Sequence, residues 1–182
     1  MKNIPKPQFS PPLDPEFLPA SAFTRAYRAA LADLPEDRQA ILAIAIEAES
    51  GLTGRYDIAV STDPQHADMT RTYAERHLKF VLWSHGGRRI VLHGPQDLCR
   101  ELEEAYSPRG ARAFDCGIMQ NVYGDPLEIV LASSADTVPA PRVAARPIGG
   151  HLDGCRIGFD LGASDLKVAA VRNGEAVFST EI

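Results

Sequence analysis

Four residues near the end of the printed sequence have the types and spacing of a phosphate-binding turn. Asp160, Gly162, Ser164 and Lys167 lie within GCRIGFDLGASDLKVAAVRNGE, which begins at Gly154. Gly162 lets the backbone approach a phosphate, and the Ser164 hydroxyl with nearby N–H groups can donate to its oxygens. Asp160 can hold a magnesium ion through water, because hard cations prefer oxygen ligands and retain hydration. Lys167 either offers a positive charge nearby or lies on an outer face.

The segments around these residues predict a small antiparallel sheet. CRIGFD alternates apolar residues and ends in Asp160, LGAS forms a tight turn of small residues, and LKVAAVR returns as a strand. Asn173-Gly174 is a strong type I′ hairpin signal, and EAVFSTEI follows it as a third strand. A plain β-hairpin with a Gly-Ala-Ser turn is the alternative to a phosphate site.

Elsewhere the residues capable of chemistry are scattered. Asp63, His66 and Asp68 are close enough in sequence to hold a metal, but acids at a helix N-terminus beside an exposed histidine are the favoured interpretation. Arg88 and Arg89 follow two glycines, where a solvated turn is favoured over a phosphate site. The remaining histidines at positions 77, 85 and 93 lack zinc-like spacing. No serine or cysteine has a recognisable base partner, so we assign no catalytic residue.

Apolar periodicity upstream predicts an α/β fold, with α+β as the alternative. The predicted helices cover 20–33, 36–50, 64–84 and 95–107, and the predicted strands cover 55–63, 88–94 and 126–134. Residues 109–125 are expected to be irregular or a weak strand, and Phe80 to Trp83 are expected in the core.

Changes in composition along the chain predict four regions. Residues 1–19 are rich in proline and extended, and 20–134 form an α/β accessory domain. Residues 135–152 contain prolines and glycines without an apolar period and form a linker or a surface strap. The remaining residues, 153–182, form the strand-turn-strand unit that contains the candidate site.

Composition limits the classes of protein to which the chain can belong. Hydrophobic residues make up 45% and charged residues 24%, which suffices for a globular core, and the net charge of −5 argues against nucleic-acid binding. Three isolated cysteines are typical of reduced thiols rather than a disulfide framework. No apolar run reaches the roughly 20 residues of a membrane helix, and prolines stand where a signal peptide would be apolar. We therefore expect a cytoplasmic protein with neither membrane nor nucleic acid as partner.

The stretch IGFDLGASDLKVAAV resembles the first phosphate loop of the actin-like ATPase superfamily, with its Asp-x-Gly-x-Ser/Thr-x-x-Lys pattern. Its short strands and GAS turn are most similar to the ROK family of sugar kinases and transcriptional repressors. The resemblance covers only residues 153–182 and implies that Asp160, Gly162, Ser164 and Lys167 face the phosphates of MgATP, with the magnesium near Asp160. The usual ROK pattern is Gly-Gly-Thr-Lys, whereas this chain has Gly-Ala-Ser-Asp at 162–165, which weakens the assignment to ROK more than that to the superfamily.

Two hypotheses follow from this partial resemblance. The family also uses a second phosphate loop, an adenosine-binding segment, a catalytic aspartate and often a zinc motif, none of which we find in the sequence. In the first hypothesis the chain is the N-terminal, truncated portion of a ROK-like sugar kinase, inactive alone, whose complete form binds a sugar and a nucleotide and phosphorylates a sugar hydroxyl. In the second it is a non-catalytic binding or oligomerisation module. Its terminal hairpin then completes a sheet or pairs with another copy through exposed strand edges.

Overall fold

The chain folds into two units with separate sheets, one within residues 1–143 and one within 144–182. The computed structural model describes residues 9, 11–15, 17–48, 51–143 and 150–182. Residues 1–8, 10 and 16 of the predicted extended segment and 144–149 of the predicted linker lie outside the described residues. Helices and strands occur together, so the predicted α/β class is confirmed.

The first unit combines helices with a mixed sheet. Its helices are α1 (Ala20–Ala32), α2 (Ala67–His85), α3 (Gln96–Ala105) and α4 (Ala113–Tyr123). Its strands are β1 (Gln39–Glu47), β2 (Thr53–Ser61), β3 (Arg89–His93) and β4 (Glu128–Leu131). The sheet order is β2-β1-β3-β4, with β1 antiparallel to both neighbours and β3 parallel to β4. Among the described residues, no helix is long and apolar enough to cross a bilayer.

The central strand β1 lies where a helix was predicted over 36–50, and that prediction was wrong for the described residues, which exclude 49 and 50. Leu42, Ile44 and Ile46 point to the helix side of the sheet, where they join the main apolar core with residues from all four helices. Ala43 and Ala45 point to the other face. Large and small side chains thus alternate with the period of two that a strand requires, and pairing with β2 and β3 makes the segment a central strand with a neighbour at each edge.

The second face of this sheet is covered by the chain that follows β4. Val138 is buried against Ala43, Ala45 and Val91. Arg142 then pairs with Thr53 at the start of β2 through two backbone hydrogen bonds of 2.9 Å. Over these residues the segment is a strap across the sheet, one of the two alternatives that its composition left open.

Helix α4 lies where the sequence predicted an irregular segment or a weak strand, so that expectation was wrong as well. Cys116 and Met119 face the core, and Gly117 between them interrupts the apolar spacing. Gly124 ends the helix in the left-handed conformation with φ 81°.

The helix is fixed to α2 by a buried carboxylate. Asp115 Oδ1 accepts a 2.7 Å hydrogen bond from Trp83 Nε1 and lies 3.4 Å from Lys79 Nζ.

The prediction that Phe80 to Trp83 lie in the core was only half right. Val81 and Leu82 are fully buried, whereas Phe80 and Trp83 are 58% and 48% exposed. Successive side chains on a helix point about 100° apart, so the four members of this run are spread over about 300° and cannot all face one side.

The second unit is an antiparallel three-stranded meander of β5 (Cys155–Leu161), β6 (Leu166–Arg172) and β7 (Glu175–Glu181). The predicted type I′ turn is confirmed, since Asn173 and Gly174 have φ values of 51° and 86°. The register shifts between Ala170 and Val171, which places one extra residue, Val177, in β7.

Substitutions in β1 test its strand conformation. Ile41 and Ile44 would share one face of a helix, but in the strand Ile44 is fully buried while Ile41 is 55% exposed. We expect Ile44→Ala to lower the free energy of unfolding by about 2–5 kcal/mol. Ile41→Ala, the matched control, should change it by no more than about 0.5 kcal/mol. Urea unfolding followed by circular dichroism measures both, and equal losses would contradict the strand.

Candidate functional site

The candidate site residues lie together at one end of the meander. Asp160 and Lys167 are directly opposed on β5 and β6, and Glu181 of β7 is opposed to Lys167 on its other side. Because opposed residues of antiparallel strands share a face, these three side chains form one cross-strand row. We call Asp160, Lys167 and Glu181 the charged row. Gly162 and Ser164 lie in the turn that joins β5 to β6, next to this row.

Lys167 is engaged by carboxylates in the structure. Its Nζ lies 3.1 Å from Asp165 Oδ2 and 3.7 Å from Glu181 Oε1. These are the ion pairs that Lys167 forms within the described part of the chain, so its ammonium faces Asp165 and Glu181 rather than pairing with Asp160. The side chain is 48% exposed, and an ion pair at that exposure is a weak interaction that solvent screens.

Gly162 is covered by the side chain of Asp165. A Cβ built on Gly162 would overlap the Asp165 carboxylate and would lie 3.0 Å from the Asp165 carbonyl oxygen. A side chain at position 162 would therefore displace the Asp165 carboxylate from this position. The exposed Ser164 hydroxyl, by contrast, is free to meet a ligand from solvent.

An open depression of about 530 Å³ lies against the same strands. Its lining includes the whole charged row together with Ser179 and Thr180 of β7, but neither Gly162 nor Ser164. The volume falls in the range of small-molecule sites. The structure thus groups Asp160 and Lys167 in the depression and places the other two predicted residues at its edge, in the turn.

Sequence reasoning missed Asp165 and Glu181. Asp165 could have been found, because it lies two residues before Lys167 and the strand period places both on one face. Glu181 could not be placed, because an uninterrupted register from the turn at 173–174 opposes Thr180 to Lys167. The shift at Ala170/Val171 brings Glu181 into that position instead.

The residues considered for metal or phosphate binding in the first unit are occupied by local contacts. Asp63 Oδ1 accepts a 2.8 Å hydrogen bond from the Gln65 backbone N–H, and the Asp68 carboxylate forms a 2.7 Å ion pair with Arg71. Within the described ranges, no three histidine, cysteine or acidic side chains converge on a point that could hold a metal ion. The arginines that follow the two glycines are likewise paired with carboxylates, as seen in the contacts Arg88–Asp125 and Arg89–Glu47.

The three histidines without zinc-like spacing are engaged separately. His85 Nε2 and the Tyr56 hydroxyl are 2.8 Å apart, and His93 Nδ1 lies 3.1 Å from the Ala132 carbonyl oxygen. Burial lowers the pKa of His77, which keeps that ring neutral at physiological pH. None of these contacts forms a base beside a nucleophile.

Comparisons of the chain with family models, with curated proteins and with solved structures found no match.

The cysteines differ in reactivity, and this provides a test of the fold. Burial raises the pKa of the Cys99 thiol to about 11 and also raises that of Cys116, whereas Cys155 is exposed on β5. Because the thiolate is the reactive form, the native chain should react rapidly with Ellman's reagent at one thiol at pH 8 and at three thiols in denaturant. Cys155→Ser should abolish the fast reaction. Rapid modification of Cys99 in the native chain would contradict the packing of α3.

Proposed function

We propose that residues 153–182 are the opening strands and first phosphate loop of an actin-like ATPase lobe, most similar to that of the ROK family. The complete protein then transfers a phosphoryl group from MgATP to a sugar hydroxyl. The observation that carries this proposal is the opposition of Asp160 and Lys167 at the two ends of a turn that contains Gly162 and Ser164. An acid, a glycine, a hydroxyl and a cation are thereby presented on one hairpin end.

The side chains of this hairpin end fit the chemistry of MgATP. Asp160 supplies a carboxylate oxygen of the kind that hydrated magnesium prefers, and it lines the depression. Ser164 offers an exposed hydroxyl donor, and Lys167 a half-exposed ammonium. MgATP, when bound, supplies the transferable phosphoryl group. The residues of this chain would bind and orient its phosphates.

Phosphoryl transfer also needs a group that positions the acceptor hydroxyl. Within the described ranges we assign no residue to that role. The chain by itself is thus proposed to bind nucleotide without turnover. An ATP-dependent enzyme with free thiols at Cys99, Cys116 and Cys155 belongs in the reducing cytoplasm.

Calorimetric titration of the full chain with ATP, with and without magnesium, tests the site. We expect weak binding that magnesium strengthens, and Asp160→Asn should remove the magnesium-dependent gain because it removes the carboxylate. Lys167→Met should weaken binding in both conditions through loss of the phosphate-facing charge. Arg172→Met, a cation lost from the opposite end of β6, is the matched control and should leave binding unchanged.

Three results would contradict the proposal. If the wild type, Asp160→Asn and Lys167→Met give equal heats of ATP binding, the nucleotide binds elsewhere on the chain. If the wild type does not bind ATP, the site is excluded in this chain. Sugar phosphorylation by the chain alone would contradict the proposed lack of turnover.

A second candidate function is supported by the opposite face of the meander. That face presents Ile157, Phe159 and Leu161 of β5, which are 68%, 68% and 79% exposed, while its charged side chains, Arg172 and Glu175, lie at the end next to the Asn173-Gly174 turn. Leu166, Val168, Ala170 and Phe178 continue it across β6 and β7. We call this set the apolar face. Exposed apolar surface of this kind is typical of an interaction site, so an oligomerisation module is the alternative to the kinase lobe. Since β5–β7 form their own sheet rather than extending the first, such a module would bind another copy.

Sedimentation equilibrium distinguishes this alternative. If the apolar face mediates self-association, the apparent mass of the chain should rise with concentration, and Phe159→Lys should return it to the monomer value because a buried unpaired charge is costly. Ser179→Lys, which adds the same charge to the other face, is the control and should still associate. A monomer at all concentrations would exclude the module.

A further inference from the structure

The turn between β5 and β6 already contains an anionic group. The Asp165 carboxylate lies directly over the α-carbon of Gly162, in the space that a glycine leaves open at that position. Its other oxygen, Oδ2, lies 3.1 Å from Lys167 Nζ. One carboxylate therefore occupies both features that would receive a phosphate, the bare backbone and the lysine ammonium.

The charges around Lys167 reinforce this arrangement. Glu181 Oε1 lies 3.7 Å from Lys167 Nζ, and Asp160 is opposed to Lys167 across the strand pair. Two carboxylates thus contact the ammonium and a third, that of Asp160, lies on the same face, so three acids and one lysine give this end of the sheet a net negative charge. A polyphosphate that approaches is repelled by the carboxylates and must compete with Asp165 for Lys167.

We propose that Asp165 is an internal anion that occupies the phosphate position of the turn and thereby sets the affinity of the site for polyphosphates. This inference rests on the proposed function, since it assumes that Gly162 and Lys167 form a phosphate site. Asp165 acts here as a specificity-determining residue. A ligand binds when its charge, or the magnesium it carries, outcompetes the carboxylate.

Titration with sodium tripolyphosphate, without magnesium or nucleotide, isolates this contact. Asp165→Asn keeps the shape of the side chain but removes its charge, so the full-length variant should bind at least about threefold more tightly than the wild type. Glu175→Gln, which removes the same charge at the opposite end of β7, is the matched control and should bind as the wild type does. The gain from Asp165→Asn should shrink when Lys167→Met is also present, because the two residues act on one another.

The outcomes separate this inference from the proposed function. Tighter tripolyphosphate binding by Asp165→Asn, lost with Lys167→Met, supports the inference even if MgATP does not bind. Equal affinities of the wild type and Asp165→Asn, with both sensitive to Lys167→Met, overturn the inference and leave the phosphate site standing. A gain of the same size in Glu175→Gln overturns it in favour of a general charge effect. No binding by any variant overturns both.

Discussion

The register of the meander determines which charges meet at the candidate site. Strands β6 and β7 leave the turn at Asn173-Gly174 in one register and reach Lys167 in another, because the extra residue Val177 shifts the pairing by one position. That shift opposes Glu181 rather than Thr180 to the lysine. A single bulge thus converts a lysine beside a hydroxyl into a lysine between carboxylates. Bulges have this effect in general, since they re-aim the side chains of a strand.

The first unit depends on a different constraint, the burial of β1 on both faces. Its bulky residues meet the helices, and its alanines leave room for Val138 on the other side. The strap that follows β4 can cross the sheet closely only because those positions are small. Its pairing with Thr53 then covers part of the exposed edge of β2, where unpaired backbone groups would otherwise face solvent.

Elements could be predicted from the sequence where a short local pattern was compatible with only one secondary structure. Asn173-Gly174 favours a type I′ turn, in which both central residues have positive φ, and the structure has that turn. The amphipathic spacing of Leu98 and Leu102 predicted a helix, which the structure also has. Prediction failed at β1 because Ile41, Ile44 and Ala45 match a helical face as well as a strand, and the neighbouring strands that decide between them are distant in sequence. At the site, the spacing predicted which residues share the hairpin end. It did not predict that Glu181 is a partner of Lys167, because that pairing depends on the bulge.

The two faces of the meander make different physical demands, and this links the two candidate functions. Alternation along β5 places Asp160 in the charged row and Phe159 on the apolar face, so a ligand on one side of the sheet does not obstruct a partner on the other. An ion pair as exposed as Lys167–Asp165 is screened by water, and a phosphate contact there would be screened equally. Packing another element on the apolar face would remove its exposed apolar side chains from water. Covering the charged row would lower the local dielectric constant and strengthen every contact of Lys167. Both functions therefore require the meander to be covered, but by partners on opposite faces.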